Sequence, residues 1–281
     1  MRPLFCPRRK AISGYRRVGF FAKSVLNRLA GIGAQDELMR RRFLGLGARP
    51  DRVRVTGNMK FDWKPSGGPS AILKGMEVLL KGDGGMLCIA GSTHEGEEEI
   101  FFKMVRSLGV RRPGLRFLVA PRHLHRLPDI ERAAAKENLI PLRISKIGSE
   151  EEKRYDNRTG AVVYLLDQMG ILASAYRLAD LAFIGGSLVP AGGHNPVEPA
   201  FFEKPVLFGP FMNNFREMAE IFKQAGAARE VSVSTLETEV EALAADAGKR
   251  EAMGAAAGRL VRSHEGSVAK NIEMFLEAVH P

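Results

Sequence analysis

From residue 53 onward, apolar and polar positions follow two alternating patterns along the chain. Short apolar runs rich in β-branched and aromatic residues give way to stretches in which apolar residues recur with helical spacing. This alternation is typical of a parallel sheet whose strands are joined by helices. The apolar runs predict strands at residues 53–56, 86–90, 115–120, 161–166, 181–184 and 205–208.

The stretches between the strands predict the connecting helices, the last of which Gly226 is expected to cap. The tail at residues 236–279 carries no strand pattern and predicts two further helices. A Gly-Gly-Pro-Ser run at residues 67–70 indicates a linker or a domain edge. The prediction is a doubly wound α/β domain over residues 67–265, with helices at residues 97–105, 129–137, 171–178 and 217–224.

The composition is that of an ordinary soluble globular protein, with 45% hydrophobic and 26% charged residues. The two cysteines provide no disulfide framework, and Cys88 lies in an apolar run, so a buried reduced thiol in a cytoplasmic protein is expected. No run of 18 apolar residues and no secretory signal pattern is present in the sequence.

The net charge of +10 is concentrated at one end of the chain. Residues 1–54 hold 14 Lys and Arg against 3 Asp and Glu, whereas the rest holds 28 against 29. Basic residues there interleave with Phe20 and Phe21, which suits contact with anionic phospholipid or a phosphorylated lipid. A solvated helix face and an RNA-binding arm are the alternatives. We favour the membrane surface and expect no nucleic-acid partner.

Ligands of doubly wound domains bind in the loops at the carboxyl ends of the strands. After the strand at residues 86–90, Ser92 and Thr93 precede a helix start that can hold a phosphate through its N–H groups. The same residues also fit a helix N-cap followed by acids that complement the helix dipole. Arg122, at the end of another strand, can pair with a phosphate or carboxylate, although taken alone this position favours a solvated surface arginine.

Two further loops are candidates. In Asp-Gln-Met-Gly at residues 167–170, backbone groups can read a base edge, or Asp167 can simply cap the next helix. Glycine pairs at residues 185–186 and 192–193 allow close approach to a ligand. Pro196 suits a first helical turn, which places Asn195 near the N-cap and aims Glu198 at the crevice, where it can accept hydrogen bonds from ribose hydroxyls. These features exceed what capping requires and favour a ligand site.

Several site types lack support in the sequence. No Gly-x-x-x-x-Gly-Lys-Ser/Thr, Gly-x-Gly-x-x-Gly or Gly-x-Ser-x-Gly motif occurs at a suitable position. The histidines at positions 94, 123 and 125 have no cysteine or carboxylate partners at metal-ligand spacing, so no metal site is predicted.

Together these loops closely resemble the Kdo transferases (lipid IVA Kdo transferases, glycosyltransferase family 30). These enzymes transfer 3-deoxy-D-manno-oct-2-ulosonic acid (Kdo) from CMP-Kdo to a lipid A precursor in lipopolysaccharide biosynthesis. The resemblance covers about residues 12 to 280 in the family's order. The matching runs are Val-Thr-Gly-Asn-Met-Lys-Phe-Asp at 55–62, Ala-Gly-Ser-Thr-His-Glu-Gly-Glu-Glu at 90–98, Ala-Pro-Arg-His at 120–123, Asp-Gln-Met-Gly at 167–170, residues 185–199, and Pro-Val-Leu-Phe-Gly-Pro at 205–210 with Asn-Phe-Arg-Glu at 214–217.

The resemblance implies a GT-B fold, in which two Rossmann-like domains face a cleft and the C-terminal one holds most of the nucleotide. It implies a remnant of the N-terminal acceptor-binding domain at residues 1–66, a CMP-sugar-binding domain at 67–265 and a returning helix at 266–281. It further implies CMP contacts from Pro121, Arg122, Gln168, Met169, Gly170, Asn195, Pro196, Val197 and Glu198, with Ser92, Thr93 and His94 beside the donor's phosphate or sugar.

In the family, the full N-terminal domain holds the lipid acceptor and a glutamate that serves as general base. The resemblance implies that this chain keeps only the last segment of that domain, from Tyr15 to about Asp62, so no catalytic residue is assigned. The implied reaction is inverting transfer of Kdo to lipid IVA at the cytoplasmic face of the bacterial inner membrane, without a cofactor. A CMP-sugar-binding fragment that needs a separate N-terminal domain, and a GT-B enzyme that uses a UDP-sugar, remain alternatives.

Overall fold

The computed structural model describes residues 19–65, 71–147 and 161–279. The chain divides into two compact units: Lys64–Leu260 forms the larger, and Met1–Trp63 with Val261–Pro281 forms the smaller. The linker predicted at residues 67–70, Tyr15 and six of the fourteen basic residues at 1–54 lie outside the described residues.

Nine described strands occur in two parallel sheets. Two belong to the smaller unit and pair with each other, and the other seven form one sheet in the order β5-β6-β4-β3-β7-β8-β9. The strands are β1 (Ile32–Ala34), β2 (Val53–Val55), β3 (Met86–Thr93), β4 (Leu115–Pro121), β5 (Ile140–Arg143), β6 (Val162–Leu165), β7 (Leu181–Ile184), β8 (Val206–Phe208) and β9 (Ala228–Glu230).

Eleven α-helices lie among the described residues, and short 3₁₀ segments extend or connect several of them. None is long and apolar enough to cross a membrane. The helices are α1 (Gly19–Leu26), α2 (Glu37–Gly45), α3 (Ala71–Lys81), α4 (Glu97–Arg111), α5 (Leu127–Lys136), α6 (Leu172–Ala175), α7 (Val197–Phe201), α8 (Arg216–Gln224), α9 (Leu236–Ala245), α10 (Ala247–Ser263) and α11 (Ser267–Val279).

Strand β3 explains why the central strands read as continuous apolar runs. Its side chains alternate between two faces: Cys88 packs in the same cluster as Phe101 of α4, whereas Leu87 packs with Met76 and Leu80 of α3. A strand covered by helices on both sides needs apolar residues at every position rather than at every second one. The doubly wound α/β prediction is therefore confirmed.

From residue 67 onward, the structure differs from the predicted elements in three respects. The tail forms three helices rather than two, because the chain becomes extended at Asp246, whose carboxylate accepts the N–H of Lys249 in the next helix. Strands β5 and β9 lie at the two edges of the large sheet and were not predicted. Helix α3 was not predicted either.

In the smaller unit, Asp62 fixes the start of the C-terminal helix α11. Its two carboxylate oxygens accept the backbone N–H groups of Gly266 and Val268, and the Phe61 ring stacks on His264 at 4.7 Å between centroids. An acidic side chain at a helix N-terminus satisfies donors that the helix itself leaves unpaired. The C-terminal helix is thus tied to residues that precede the large sheet in the sequence.

Candidate functional site

The order in which strands are added to the large sheet reverses beside β3. From β3 the chain adds β4, β5 and β6 on one side and then returns to place β7 on the other side of β3. In open parallel sheets, ligands bind outside the carboxyl ends of the strands at such a switch point. Here that position is flanked by the loop after β3 and the long loop between β7 and α7.

Glu97, the first residue of α4, joins these two loops. Its fully buried carboxylate accepts four backbone N–H groups: Oε2 from His94 at 2.9 Å and Gly186 at 2.6 Å, and Oε1 from Ser187 and Leu188, both at 2.9 Å. A buried carboxylate needs this degree of pairing to remain in the interior. Sequence reasoning gave Glu97 only a helix-dipole role, since nothing local in the sequence indicates donors some 90 residues away.

The glycines of the β7 loop permit this close packing. A Cβ on Gly185 would lie 2.4 Å from the carbonyl oxygen of Ser92. In β3, a Cβ on Gly91 would likewise clash with the hydroxyl oxygen of Tyr176. Ser92 itself has a left-handed φ of 57°, next to an irregularity in the β3–β4 register. Left-handed backbone at a non-glycine residue is strained and concentrates at functional sites.

Two histidines meet above this junction. Nε2 of His94 lies 2.9 Å from Nε2 of His194, and the rings lie end to end, nearly coplanar, with centroids 5.2 Å apart and an interplanar angle of 20°. Gly186 lies against both rings, because a Cβ there would be 3.1 Å from His94 and 3.2 Å from His194. The His123 ring meets His94 edge-on at 5.8 Å. His194 is half-buried and was not among the predicted contact residues.

The surroundings hold both histidines neutral. Burial lowers the pKa of His194 to about 4, and the neighbouring His94, Arg122 and His123 act in the same direction. Burial also lowers the pKa of His94, with Glu97 acting in the opposite direction. Because the guanidinium of Arg122 is always positively charged, these surroundings favour an anionic ligand. Among the described residues, no group of three or more His, Cys, Asp or Glu can hold a metal ion.

Thr93 takes part in a second buried network. Its hydroxyl donates to Glu98 at 2.9 Å, and Glu98 also accepts two bonds from the Arg126 guanidinium, at 3.1 and 3.3 Å. Burial raises the pKa of Glu98 despite the opposing effect of Arg126. The Thr93 hydroxyl is occupied inside the fold, so a phosphate at this loop would meet backbone N–H groups and Ser92 rather than that hydroxyl. The helix is capped by Gly96 instead of Ser92 or Thr93.

Glu198 lies in the first turn of α7, as predicted. It is half-buried, its pKa is raised by burial, and it has no hydrogen-bond partner among the residues that the structure describes. Its charge in turn contributes to raising the pKa of the buried Tyr176 phenol, after burial itself. Asn195 lies one residue before the N-cap position, which Pro196 occupies, and its side chain accepts the N–H of Val197 at 3.2 Å.

The remaining predicted contact residues lie at the ends of β4 and β6. Pro121 ends β4, and the backbone N–H of the exposed Arg122 donates to the Thr93 carbonyl at 2.9 Å. After β6, Gln168 precedes Met169, which is 70% exposed, and Gly170, which has a φ of 80°. The reading of Asp167 as a helix cap is wrong, because its carboxylate accepts from the N–H and hydroxyl of Ser145 and α6 starts only at Leu172.

The sequence of this chain is similar to that of proteins with a known activity. Residues 8–63 match the sequence profile of a family described as 3-deoxy-D-manno-octulosonic-acid transferase (kdotransferase). The 3-deoxy-D-manno-octulosonic acid transferase of Haemophilus influenzae is 32% identical over 263 residues, covering 93% of this chain and 60% of the relative. The enzyme of the same name from Aquifex aeolicus is 30% identical over 194 residues, covering 69% and 48%. The chain therefore spans only about half to three fifths of these relatives.

Two solved structures share the fold. The C-terminal CMP-Kdo binding domain of WaaA from Acinetobacter baumannii has a TM-score of 0.58 at 25% identity, covering 68% of this chain and 98% of that domain. A glycosyltransferase from Rickettsia africae has a TM-score of 0.59 at 13% identity, covering 94% and 67%. The predicted GT-B fold class is confirmed. By these matches, the chain is similar in sequence to the 3-deoxy-D-manno-octulosonic acid (Kdo) transferases and in fold to a CMP-Kdo binding domain.

Proposed function

We propose that the larger unit binds CMP-Kdo at the switch point and serves the transfer of Kdo to a lipid A precursor, lipid IVA, in lipopolysaccharide biosynthesis. The observation that carries this proposal is the likeness to a CMP-Kdo binding domain over 98% of that domain's length. In this chain the loops after β3 and β7 meet at the switch point, where the donor would bind.

Each predicted residue has a role in this proposal that suits its surroundings. Glu198, half-buried and without a partner among the described residues, accepts hydrogen bonds from the two ribose hydroxyls. The exposed Met169 and the backbone at Gln168 and Gly170 contact the cytosine base. Asn195, Pro196 and Val197 shape the wall between ribose and phosphate, and Pro121 holds Arg122 near the donor's charged groups.

The chemistry follows from where charge develops. As the sugar carbon gains oxocarbenium character, the CMP phosphate leaves with negative charge, which Arg122 and oriented N–H groups beside Ser92 and His94 stabilise. Such preorganised donors need no metal in this scheme. The reaction inverts the sugar carbon, and the base that deprotonates the acceptor hydroxyl is assigned to no residue of this chain.

Calorimetric titration with CMP tests the site. Replacing Glu198 with alanine removes hydrogen bonds to a charged acceptor, each contributing about 1.5–3 kcal/mol, so CMP should bind at least about tenfold more weakly. Arg122→Ala should weaken CMP but leave cytidine, which lacks the phosphate, unaffected. Glu99→Ala and Arg132→Ala, which remove exposed charges from neighbouring helices, are the matched controls. Equal CMP affinity in all five proteins would overturn the site.

The same titration separates the alternatives. A UDP-sugar enzyme would bind UDP more tightly than CMP, whereas the proposed site prefers CMP. Transfer is tested with labelled CMP-Kdo and lipid IVA. Tight CMP binding without transfer would instead identify a donor-binding chain that works only with a separate acceptor-binding partner.

We further propose that the N-terminal part lies on an anionic membrane surface, at the cytoplasmic face of the bacterial inner membrane. Helix α1 carries no acidic residue, and its Phe20 and Phe21 are 91% and 69% exposed beside Lys23. Exposed aromatic side chains with basic neighbours favour insertion at the lipid headgroup level.

Sedimentation with vesicles tests this surface. The chain should sediment with vesicles rich in phosphatidylglycerol and stay in solution with pure phosphatidylcholine. Replacing both phenylalanines with serine should abolish the difference, whereas Val110→Ser, at an equally exposed apolar position of α4, should not. Unchanged binding of the double variant would contradict the assignment.

A further inference from the structure

The contact between His94 and His194 limits how many protons the two rings can hold. At 2.9 Å between the Nε2 atoms, one nitrogen must carry the hydrogen and the other must accept it. In the neutral pair, the accepting ring therefore has an N–H at Nδ1, and the donating ring has a free lone pair at Nδ1. One added proton fits on that lone pair without breaking the shared bond, whereas a second would place two N–H groups face to face.

The pair is neutral when the site is empty, because its neighbours disfavour a positive charge. Arg122, His123 and Arg126 from the β4 side add positive charge near His94, and burial acts in the same direction. Glu97 acts in the opposite direction, but its carboxylate already accepts four backbone N–H groups. An anion beside the rings would reverse this balance.

We infer that the His94–His194 pair is an anion subsite that takes up one proton when an anionic group of the sugar nucleotide binds. This inference rests on the proposed CMP-Kdo site and adds His194 to it as a binding residue. The added proton converts the pair into a cation with an N–H at each Nδ1. No other bond forms or breaks, and the proton comes from solvent. The anion recognised is a phosphate or a carboxylate, since both accept such donors.

Calorimetry in two buffers of different ionisation enthalpy, PIPES and Tris at pH 7, measures the protons taken up with the ligand. Whichever of CMP and Kdo carries the recognised anion should bring an uptake of between about 0.3 and 1 proton to the native chain, and about zero to His194→Gln and His94→Gln. As the pH falls from 8 to 6, the native chain should gain affinity for that ligand relative to His194→Gln by up to about tenfold per unit. Ionisation of CMP itself cancels in this comparison.

His125→Gln, which alters an exposed histidine outside the pair, is the matched control and should behave as the native chain. Cytidine, which has no phosphate, should bind without uptake. Free Kdo, which has a carboxylate and no phosphate, identifies the carboxylate as the anion if it alone brings the proton. Uptake with CMP identifies the phosphate.

Nitrogen NMR of the imidazoles gives a reading that does not depend on whether a variant folds. On adding saturating CMP or Kdo to the native chain, one Nδ1 of the pair should change from an unprotonated to a protonated shift. If CMP binds, but neither CMP nor Kdo brings more proton uptake to the native chain than to His194→Gln or changes either Nδ1, the subsite alone is overturned. Absence of CMP binding in every protein would overturn the proposed function together with it.

Discussion

Replacing Glu97 with glutamine tests whether one side chain holds the two loops of the site together. The carboxylate pairs four N–H donors on two oxygens, two donors to each. A glutamine offers one oxygen and places an NH₂ group against the other two donors. In one orientation the abandoned donors are those of Ser187 and Leu188, and in the other those of His94 and Gly186.

The magnitude follows from that count. A buried donor left without a partner costs about 1–3 kcal/mol, so two such donors lower the free energy of unfolding by about 2–6 kcal/mol. The free energy of unfolding of a domain is about 5–15 kcal/mol, so the variant should still fold at low temperature. The effect should be concentrated in the β7 loop, which contains three of the four donors.

Two measurements check this expectation. Urea unfolding gives the loss of stability, and hydrogen exchange by mass spectrometry gives the protection of the peptide that contains residues 186–188. Glu99→Gln changes an exposed acid in the same helical turn and should alter stability by less than about 0.5 kcal/mol. If Glu97→Gln behaves like Glu99→Gln in both measurements, the reasoning about the four donors is refuted.

Other variants probe the backbone, the cap and the pH response. Gly185→Ala should lower the free energy of unfolding measured in urea by about 1–3 kcal/mol, because its Cβ would meet the Ser92 backbone. Gly45→Ala, with open space around it, should be neutral or stabilising. Asp62→Ala should remove about 1–2 kcal/mol in the same assay by uncapping α11, and an unchanged midpoint would contradict the cap. The pKa of His194 in the folded state, about 4, lies below its unfolded value of about 6.5, so its contribution to the free energy of unfolding is full above pH 6.5 and is lost as the pH falls toward 4. Calorimetric melting should show that the native chain loses about 1 kcal/mol of stability by pH 5 and that His194→Gln does not.

The parts of the fold that could be predicted from sequence are those whose residues carry the signal themselves. Strands β3, β4 and β7 are buried on both faces, so they contain unbroken apolar runs at residues 86–90, 117–121 and 181–184. Strand β5 contains Pro141 and alternates between buried and half-buried positions, and β9 is polar after Ala228, as suits the edges of a sheet. Such edge strands are defined by their neighbours more than by their own composition.

The same distinction holds for the site, where some residues are marked by the local sequence and others are brought together only by the fold. Glycine pairs and the Asn-Pro-Val-Glu helix start mark the β7 loop locally, and Glu198 does lie in the first turn of α7. The bonds of Glu97 and the contact of His94 with His194 join residues about 90 to 100 positions apart. They depend on β7 lying beside β3, which is a property of strand order and not of any window of sequence.

The capping of α11 by Asp62 has a consequence for the order in which the molecule is made. The smaller unit is discontinuous, since Lys64–Leu260 is inserted between its two segments. A chain synthesised from its N-terminus exposes the whole large sheet before the helix that Asp62 caps has been translated. The larger unit is therefore complete in sequence before the second segment of the smaller unit, Val261–Pro281, is translated. A stop codon after Leu260 would leave the larger unit whole and the smaller unit without the helix that Asp62 caps.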